Sequence, residues 1–239
     1  MGIKCKIADL NVNVDVQCKK LAAQAEKYAF DFRCEPDIKV IITQDQVKRY
    51  QQRYPEASLD TCAYLLSGSF FYRRLLNFDG FMIHSSAIEY EGKAYMFSAP
   101  CGTGKSTHTD YWVQKLGKEK VRIINDDKPA VRFMDGKFYC CGTPWSGKND
   151  ASNNVIVPVG ALVFIERSEE NYIRPVKPGE ILKRFFPQTV RPSEPEAMSK
   201  LLDLFEKMVK EVPVYVLGAE NDISAADFAI KNIVNKEGD

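Results

Sequence analysis

The stretch that most constrains this chain is Ala99-Pro-Cys-Gly-Thr-Gly-Lys-Ser106. It follows the apolar run Ala94-Tyr-Met-Phe-Ser98, which reads as a short buried strand. It leads into Thr107–Leu116, where Tyr111, Trp112 and Leu116 fall at spacings that form one helical face. A strand, a glycine turn and a helix in that order belong to an α/β structure. Gly102 and Gly104 let the backbone curl so that its N–H groups converge on a phosphate, and the start of the helix adds partial positive charge. Lys105 can then reach the β- and γ-phosphates, and the Ser106 hydroxyl, with Thr107 beside it, is placed to bind Mg²⁺. Cys101, Gly102, Thr103, Gly104, Lys105, Ser106 and Thr107 are therefore the candidate contacts for ATP or another nucleoside triphosphate, since such a loop does not read the base. The pattern asks for Gly at position 99, and Ala99 keeps the small size.

Beyond this helix, Val121-Arg-Ile-Ile124 runs into Asn125-Asp126-Asp127, an apolar strand ending in two carboxylates. One carboxylate at such a strand end can bind Mg²⁺ directly or through water, and its neighbour can accept a proton from a hydroxyl nucleophile. We expect Asp126 to be the general base and Asp127, with Ser106, to hold the metal. Lys148, Arg174, Lys177 and Arg184 are candidates for neutralising charge in a transition state. Trp145 reads equally as a stacking platform or a loop anchor, His108 as structural or exposed, and Cys101 as a small side chain tolerated in the loop.

The rest of the chain supplies the frame. Leu10, Val12, Val14 and Val16 alternate with polar residues as in a half-buried strand. Leu21–Phe30 reads as a helix, Ile38–Ile42 as a strand, and Ser58–Leu76 as a long helix with Ser58 or Asp60 at its start. Residues 1–78 are thus expected to form an α+β segment, a candidate for substrate or partner binding, ahead of a catalytic domain over residues 79–239. Phe81–Tyr90 and Lys93–Ala99 flank Glu91-Gly92, and Pro129–Met134 and Lys137–Cys141 flank Asp135-Gly136, as two hairpins. The second hairpin inserts antiparallel strands soon after the loop, which argues for α/β with a mixed sheet against a plain doubly wound parallel one. Gly160–Glu166 and Val212–Leu217 read as strands, Glu180–Phe186, Glu194–Lys210 and Ile223–Val234 as helices, and Gly142–Pro158 as a long loop.

With 33 Lys plus Arg against 32 Asp plus Glu, no net field points to nucleic acid or a membrane surface. Seven scattered cysteines without a C-x-x-C pair indicate neither a disulfide framework nor a zinc site, which fits a cytoplasmic protein. The first residues lack the apolar core of a secretory signal, and no stretch has the length of a membrane span.

The succession His84, Ser98-Ala-Pro-Cys-Gly-Thr-Gly-Lys-Ser106, Asn125-Asp-Asp127 and Gly142-Thr-Pro-Trp-Ser-Gly147 resembles the HPr kinase/phosphorylase catalytic domain. That family shares a phosphate-loop core with phosphoenolpyruvate carboxykinases. The resemblance covers roughly residues 80 to 148. It implies a P-loop core of the HPr kinase C-terminal-domain type. The loop Lys and Ser would hold phosphate and metal, the paired aspartates would serve metal binding and hydroxyl activation, and a His would lie near the transferred phosphate. Carried over, these roles fall on Lys105, Ser106, Asp126, Asp127 and His84. After the Asp pair the chain departs from the family's arginine- and glycine-rich signature and has Cys140-Cys-Gly-Thr-Pro-Trp-Ser-Gly-Lys148. It looks more like divergent relatives that phosphorylate hydroxyls of peptides, proteins or small molecules, and family members form homo-oligomers. A carboxykinase-like lyase and a nucleotide-binding regulatory module without transfer are the competing readings. The first would need cationic groups for a carboxylate substrate, and the second would have no use for an activating carboxylate.

Overall fold

The computed structural model describes residues 2–147 and 149–234; the candidate cation Lys148 lies outside the described residues. The chain opens with the hairpin β1 (Ile3–Ile7) and β2 (Leu10–Val16), joined by Ala8 and Asp9, both at positive φ. Helix α1 (Lys19–Ala25) is shorter than the expected Leu21–Phe30. A 3-10 turn, Glu26–Tyr28, follows it, and Ala29 then bridges to Cys5, so the backbone is drawn back to the sheet. Strand β3 (Ile38–Ile42) lies parallel to β2 and completes a three-stranded sheet in the order β1-β2-β3.

Helix α2 (Gln44–Gln51) was not expected from periodicity, because it buries only Val47; a Thr43–Gln46 capping box starts it. Helix α3 (Leu59–Leu75) has Ser58, not Asp60, as its N-cap, which decides between the two candidates in the sequence. It buries Cys62, Ala63, Phe71, Tyr72 and Leu75 in a core shared with this small sheet and with Met82, Ala130, Cys141 and Trp145.

The larger sheet has nine strands: β4 (Gly80–Met82), β5 (Ser85–Tyr90), β6 (Lys93–Ser98), β7 (Val121–Asn125), β8 (Ala130–Met134), β9 (Lys137–Cys141), β10 (Ile156–Arg167), β11 (Tyr172–Pro175) and β12 (Val214–Ala219). Both expected hairpins are present, β5–β6 and β8–β9. The expected strand Phe81–Tyr90 is however two strands: β4 pairs with β8, and β5 pairs with β6 and β7. At the break, the His84 N–H donates to the Gln188 carbonyl (2.7 Å), and Ser98 Oγ donates to the His84 carbonyl (2.8 Å). His84 therefore stands off the ladder rather than on a strand. Strand β10 is twelve residues long. Its first part is antiparallel to β9; from Val159 it runs parallel to β6, with a register shift between Val159 and Ala161, and from Leu162 also parallel to β12.

Helix α4 (Lys105–Leu116) follows β6 and starts at Lys105 itself, two residues before the expected start. Along β6 and β10 alternate residues bury on opposite faces, the pattern of a sheet covered on both sides. Met96, Leu162 and Phe164 meet Phe185 of α5 (Pro178–Phe185) and Leu201, Phe205 and Met208 of α6 (Pro195–Glu211). Tyr95, Phe97, Val163 and Ile165 meet Trp112 of α4 and Ala226 and Ala229 of α7 (Ser224–Ala229). The mixed α/β architecture expected from the hairpins is the one observed. No helix among the described residues is long and apolar enough to cross a membrane.

Candidate active site

Strand register gathers the candidate residues. Strands β6 and β7 both run antiparallel to β5, with Ser98 opposite Ser85 and Asn125 opposite Ala87. The carboxyl ends of β6 and β7 therefore meet the start of β5 at one edge of the sheet. The glycine loop leaves β6 there, Asp126 and Asp127 leave β7 there, and His84 precedes β5. The carboxyl ends of β10 and β12, parallel to β6, reach the same edge. This is the end of an α/β sheet at which ligand sites are built.

In the loop, Gly102 and Gly104 take φ of +79° and +114°, values that favour glycine, and a Cβ at either would meet open space. Gly104 caps α4 without a side-chain hydrogen bond, so the first-turn N–H groups have no side-chain acceptor from the cap. Lys105 is only 7% exposed and curls back, its Nζ donating to the carbonyls of Ala99 (2.9 Å) and Pro100 (3.3 Å). Burial lowers its pKa, an effect the nearby charges of Cys101, Asp127 and Asp126 oppose. Ser106 is half-buried at the start of the helix, and Cys101 and Thr107 are exposed.

The two aspartates have different surroundings. Asp126 Oδ1 accepts from Ser86 Oγ (2.6 Å), Ser86 shares a hydrogen bond with Thr109 (2.8 Å), and Thr109 donates to the Ser106 carbonyl (3.0 Å). Asp126 is thereby tied to the first turn of α4. Asp127, its side chain 18% exposed, lies 3.2 Å from His84 Nε2 through Oδ1 and pairs with Lys128 through Oδ2. Burial alone would raise its pKa; the hydrogen bonds from His84 and Lys128 outweigh burial and hold it below the usual aspartate value. His84 Nδ1 lies 2.9 Å from Gln188 Oε1. Both ring nitrogens thus face oxygen atoms.

Other expectations resolve individually. Trp145 is the loop anchor: it is 0% exposed, stacks on Phe71 at 4.8 Å, and donates from Nε1 to Ser67 Oγ (3.1 Å). A Cβ on Gly68 would come within 3.0 Å of its ring, so the tryptophan seats there against a glycine. His108 is 3% exposed, accepts from Trp112 Nε1 (3.1 Å), and is pushed down to about 4 by burial. Arg174 is paired with Glu180 and Arg184 with Glu166, while Lys177 precedes α5 as its cap residue.

Among the described residues the lysine that pairs with Asp127 is Lys128, which sequence reasoning passed over although it directly follows Asp127. Gln188, Ser86 and Thr109 were also missed; nothing local marks them, because their roles come from pairing across the fold. Arg167, at the end of β10, donates to the Gly102 carbonyl (2.6 Å). It lines a groove of about 480 Å³ with Gly104, Thr107, Tyr111, Ala219 and Asn221. A separate groove of about 540 Å³ lies on the small sheet, lined by Cys18, Ile42, Val47 and Leu59 among others, and contains none of the candidate residues. Among the described residues no group of three or more His, Cys, Asp or Glu side chains could hold a metal ion. A Mg²⁺ here would rely on one carboxylate, the Ser106 hydroxyl and phosphate oxygens, a usual arrangement for that ion.

No family model matches the chain, and no curated protein matches it. Among solved structures it is similar to the Hpr(Ser) kinase/phosphatase from Coxiella burnetii, at 11% identity and a TM-score of 0.38, over 66% of this chain and 95% of that one.

Proposed function

We propose that this chain is a Mg²⁺- and nucleoside-triphosphate-dependent kinase that transfers a γ-phosphoryl group to a hydroxyl of a peptide, protein or small molecule. The observation that carries the reading is the junction of two hydrogen-bonded units at one sheet edge. One is Asp126–Ser86–Thr109 on the first turn of α4; the other is His84–Asp127–Lys128. A phosphate-binding loop alone would need neither.

The residues fit the ligand. The open space above Gly102 and Gly104 and the uncapped first turn of α4 suit a triphosphate, with Lys105 exchanging its carbonyl partners for phosphate oxygens. The 480 Å³ groove beside Arg167 has the size of a nucleoside site, within the roughly 300–1,000 Å³ usual for small ligands. Mg²⁺, when bound, would neutralise phosphate charge. The sequence order assigns the base to Asp126 and the metal to Asp127; the hydrogen bonds support the reverse. Asp126 is fastened to the Ser106 turn, which suits the metal side. Asp127 is held ionised by His84 and Lys128, which suits proton acceptance from the hydroxyl. Positioning and fixed charge then supply most of the acceleration, as phosphoryl transfer requires.

The test is incubation with γ-labelled ATP and Mg²⁺ against serine-containing peptides and small alcohols, for wild type, Asp126→Asn and Asp127→Asn. Label reaching an acceptor, lost in Asp127→Asn at saturating Mg²⁺ and partly recovered by raising Mg²⁺ in Asp126→Asn, is the expected result. Nucleotide binding without transfer to any acceptor would instead favour a regulatory module.

A further inference from the structure

The groove of about 540 Å³ on the small sheet lies at the carboxyl ends of the parallel strands β2 and β3, where α1, α2 and α3 begin. Its apolar lining is Cys18, Ala22, Ile42, Val47 and Leu59. Leu59 is left 47% exposed there, a large apolar side chain that this chain's own fold covers only in part. The walls are tied to one another. Gln44 Nε2 donates to Gln17 Oε1 (2.5 Å), and Cys18 Sγ donates to the Asp60 carbonyl (3.4 Å). Asp60, the acidic member of the lining, already accepts the Lys19 N–H through Oδ1 (2.7 Å).

The lysines of this segment pick out the same place. Residues 1–78 hold seven of them. Lys4, Lys6, Lys27 and Lys39 pair with Asp31, Asp9, Asp150 and Glu35, and Lys20 stands over the Tyr64 ring. The remaining two, Lys19 on α1 and Lys48 on α2, are exposed and have no ion-pair partner among the described residues, and both line the groove. An apolar trough with two unneutralised ammonium groups is complementary to an apolar stretch that has a carboxylate on either side. A nucleic acid would leave the apolar lining uncovered, and a planar membrane surface would not enter a concavity. A fatty acid brings one head group to two cations. An acidic, apolar peptide segment meets both requirements.

We infer that this groove docks a segment of a partner protein in which a short apolar stretch lies between carboxylates. Its position gives the docking a use. Helix α1 starts in the groove, while Gln24 near its other end and Lys27 in the turn after it hold the loop behind the Asp pair. Gln24 Nε2 donates to the Gly147 carbonyl (3.4 Å), and Lys27 Nζ pairs with Asp150 (3.0 Å). The Ala151 carbonyl of that loop accepts the Asp126 N–H (2.9 Å). A docked partner therefore lies one helix away from the candidate site. The inference stands apart from the phosphoryl-transfer reading, because docking is measured without nucleotide.

The test is fluorescence anisotropy of the full chain with labelled heptapeptides that carry leucine, valine or phenylalanine between two glutamates. The comparisons are the same peptides with lysine for glutamate or serine for the apolar residues, and the small aliphatic dianion decanedioate. Wild type is expected to bind the acidic apolar peptides, and Lys19→Glu and Lys48→Glu each to weaken them by about tenfold. Leu59→Ser should weaken them by about as much. Lys39→Glu, a charge-matched change outside the groove, should stay within about twofold. All three lysines are exposed, so their replacement leaves the fold intact. A second measurement needs no variant: in NMR spectra of the wild type the peptide should shift the signals of Ala22, Val47 and Leu59. No binding of any acidic apolar peptide below about 1 mM, equal binding of the lysine versions, affinity untouched by both charge reversals, or shifts confined to other parts of the chain overturns the inference. Decanedioate binding as tightly as the peptides overturns it too, since the groove would then be a small-molecule site. Docking that persists in a protein with no phosphoryl transfer supports the groove and removes the kinase reading alone.

Discussion

Acidification should weaken this protein through one residue that the chemistry does not use. His108 sits one turn into α4, its ring 4.6 Å from that of Phe97, with its Nε2 accepting from Trp112. Burial holds it neutral down to about 4, against an ordinary value of 6.5 in the unfolded chain. Above pH 6.5 both states leave the ring neutral and pH changes nothing. As pH falls below 6.5 the unfolded chain takes up a proton that the native state refuses, so stability drops until the native ring also protonates near 4. At about 1.4 kcal/mol per unit, the loss is on the order of 2 kcal/mol at pH 5 and 3 kcal/mol at pH 4. For a chain of this length that corresponds to a fall in Tm of roughly 6–12 °C between pH 7 and pH 4 from this group alone. Thermal unfolding of wild type and His108→Gln at half-unit pH steps isolates it, because glutamine can still accept from the Trp112 indole and carries no titration. The difference between the two proteins should shrink steadily from pH 6.5 to 4. A wild-type Tm that is flat from pH 7 to 5, or a variant with the same slope, would refute the reasoning.

Four further outcomes follow from the same contacts. Lys105→Ala should abolish nucleotide-dependent turnover while changing unfolding free energy by only about 1–2 kcal/mol, since it removes two hydrogen bonds to carbonyls; calorimetric titration with MgATP and urea unfolding separate the two effects. Gly104→Ala has room for its Cβ but not for φ +114°, so it should cost about 1–3 kcal/mol and weaken MgATP binding; an unchanged Tm would count against the loop geometry. Trp145→Ala removes a fully buried ring and should destabilise by about 3–5 kcal/mol in urea unfolding. Asp127→Asn should lower transfer by about 10²–10⁴-fold. Its effect on stability should be near 1 kcal/mol at pH 7, given the partly exposed partner Lys128, and should fade as pH drops below the ordinary value of 3.8 through the lowered native one.

What could be read in the amino-acid order was local. Asp135-Gly136 and Glu91-Gly92 name their hairpins because the turn needs positive φ at those residues. Ser58 names the start of α3 because its hydroxyl caps Thr61. The glycines of the loop and the Asp pair stand out for the same reason: each is a short run of neighbours in sequence. Strand β11 and helix α2 do not, since β11 is a four-residue strand and α2 buries a single side chain. The break at His84 was invisible because it is made by Gln188, more than a hundred residues on. The relative roles of Asp126 and Asp127 hinge likewise on Ser86, Thr109 and His84, none of them adjacent in sequence. Trp145 could not be read because its burial depends on Gly68 and Phe71 of a separate helix.

The placement of β5 between β6 and β7 makes the site a matter of alignment. Ser85 faces Ser98 and Ala87 faces Asn125. A slip of one residue along either boundary would displace a carboxylate or the glycine loop by roughly 3.3 Å and turn alternate side chains to the opposite face. A hydrogen bond such as that from Ser86 to Asp126, at 2.6 Å, tolerates no such offset. A misthreaded hairpin would therefore hold nearly all its secondary structure and still pull the candidate residues apart.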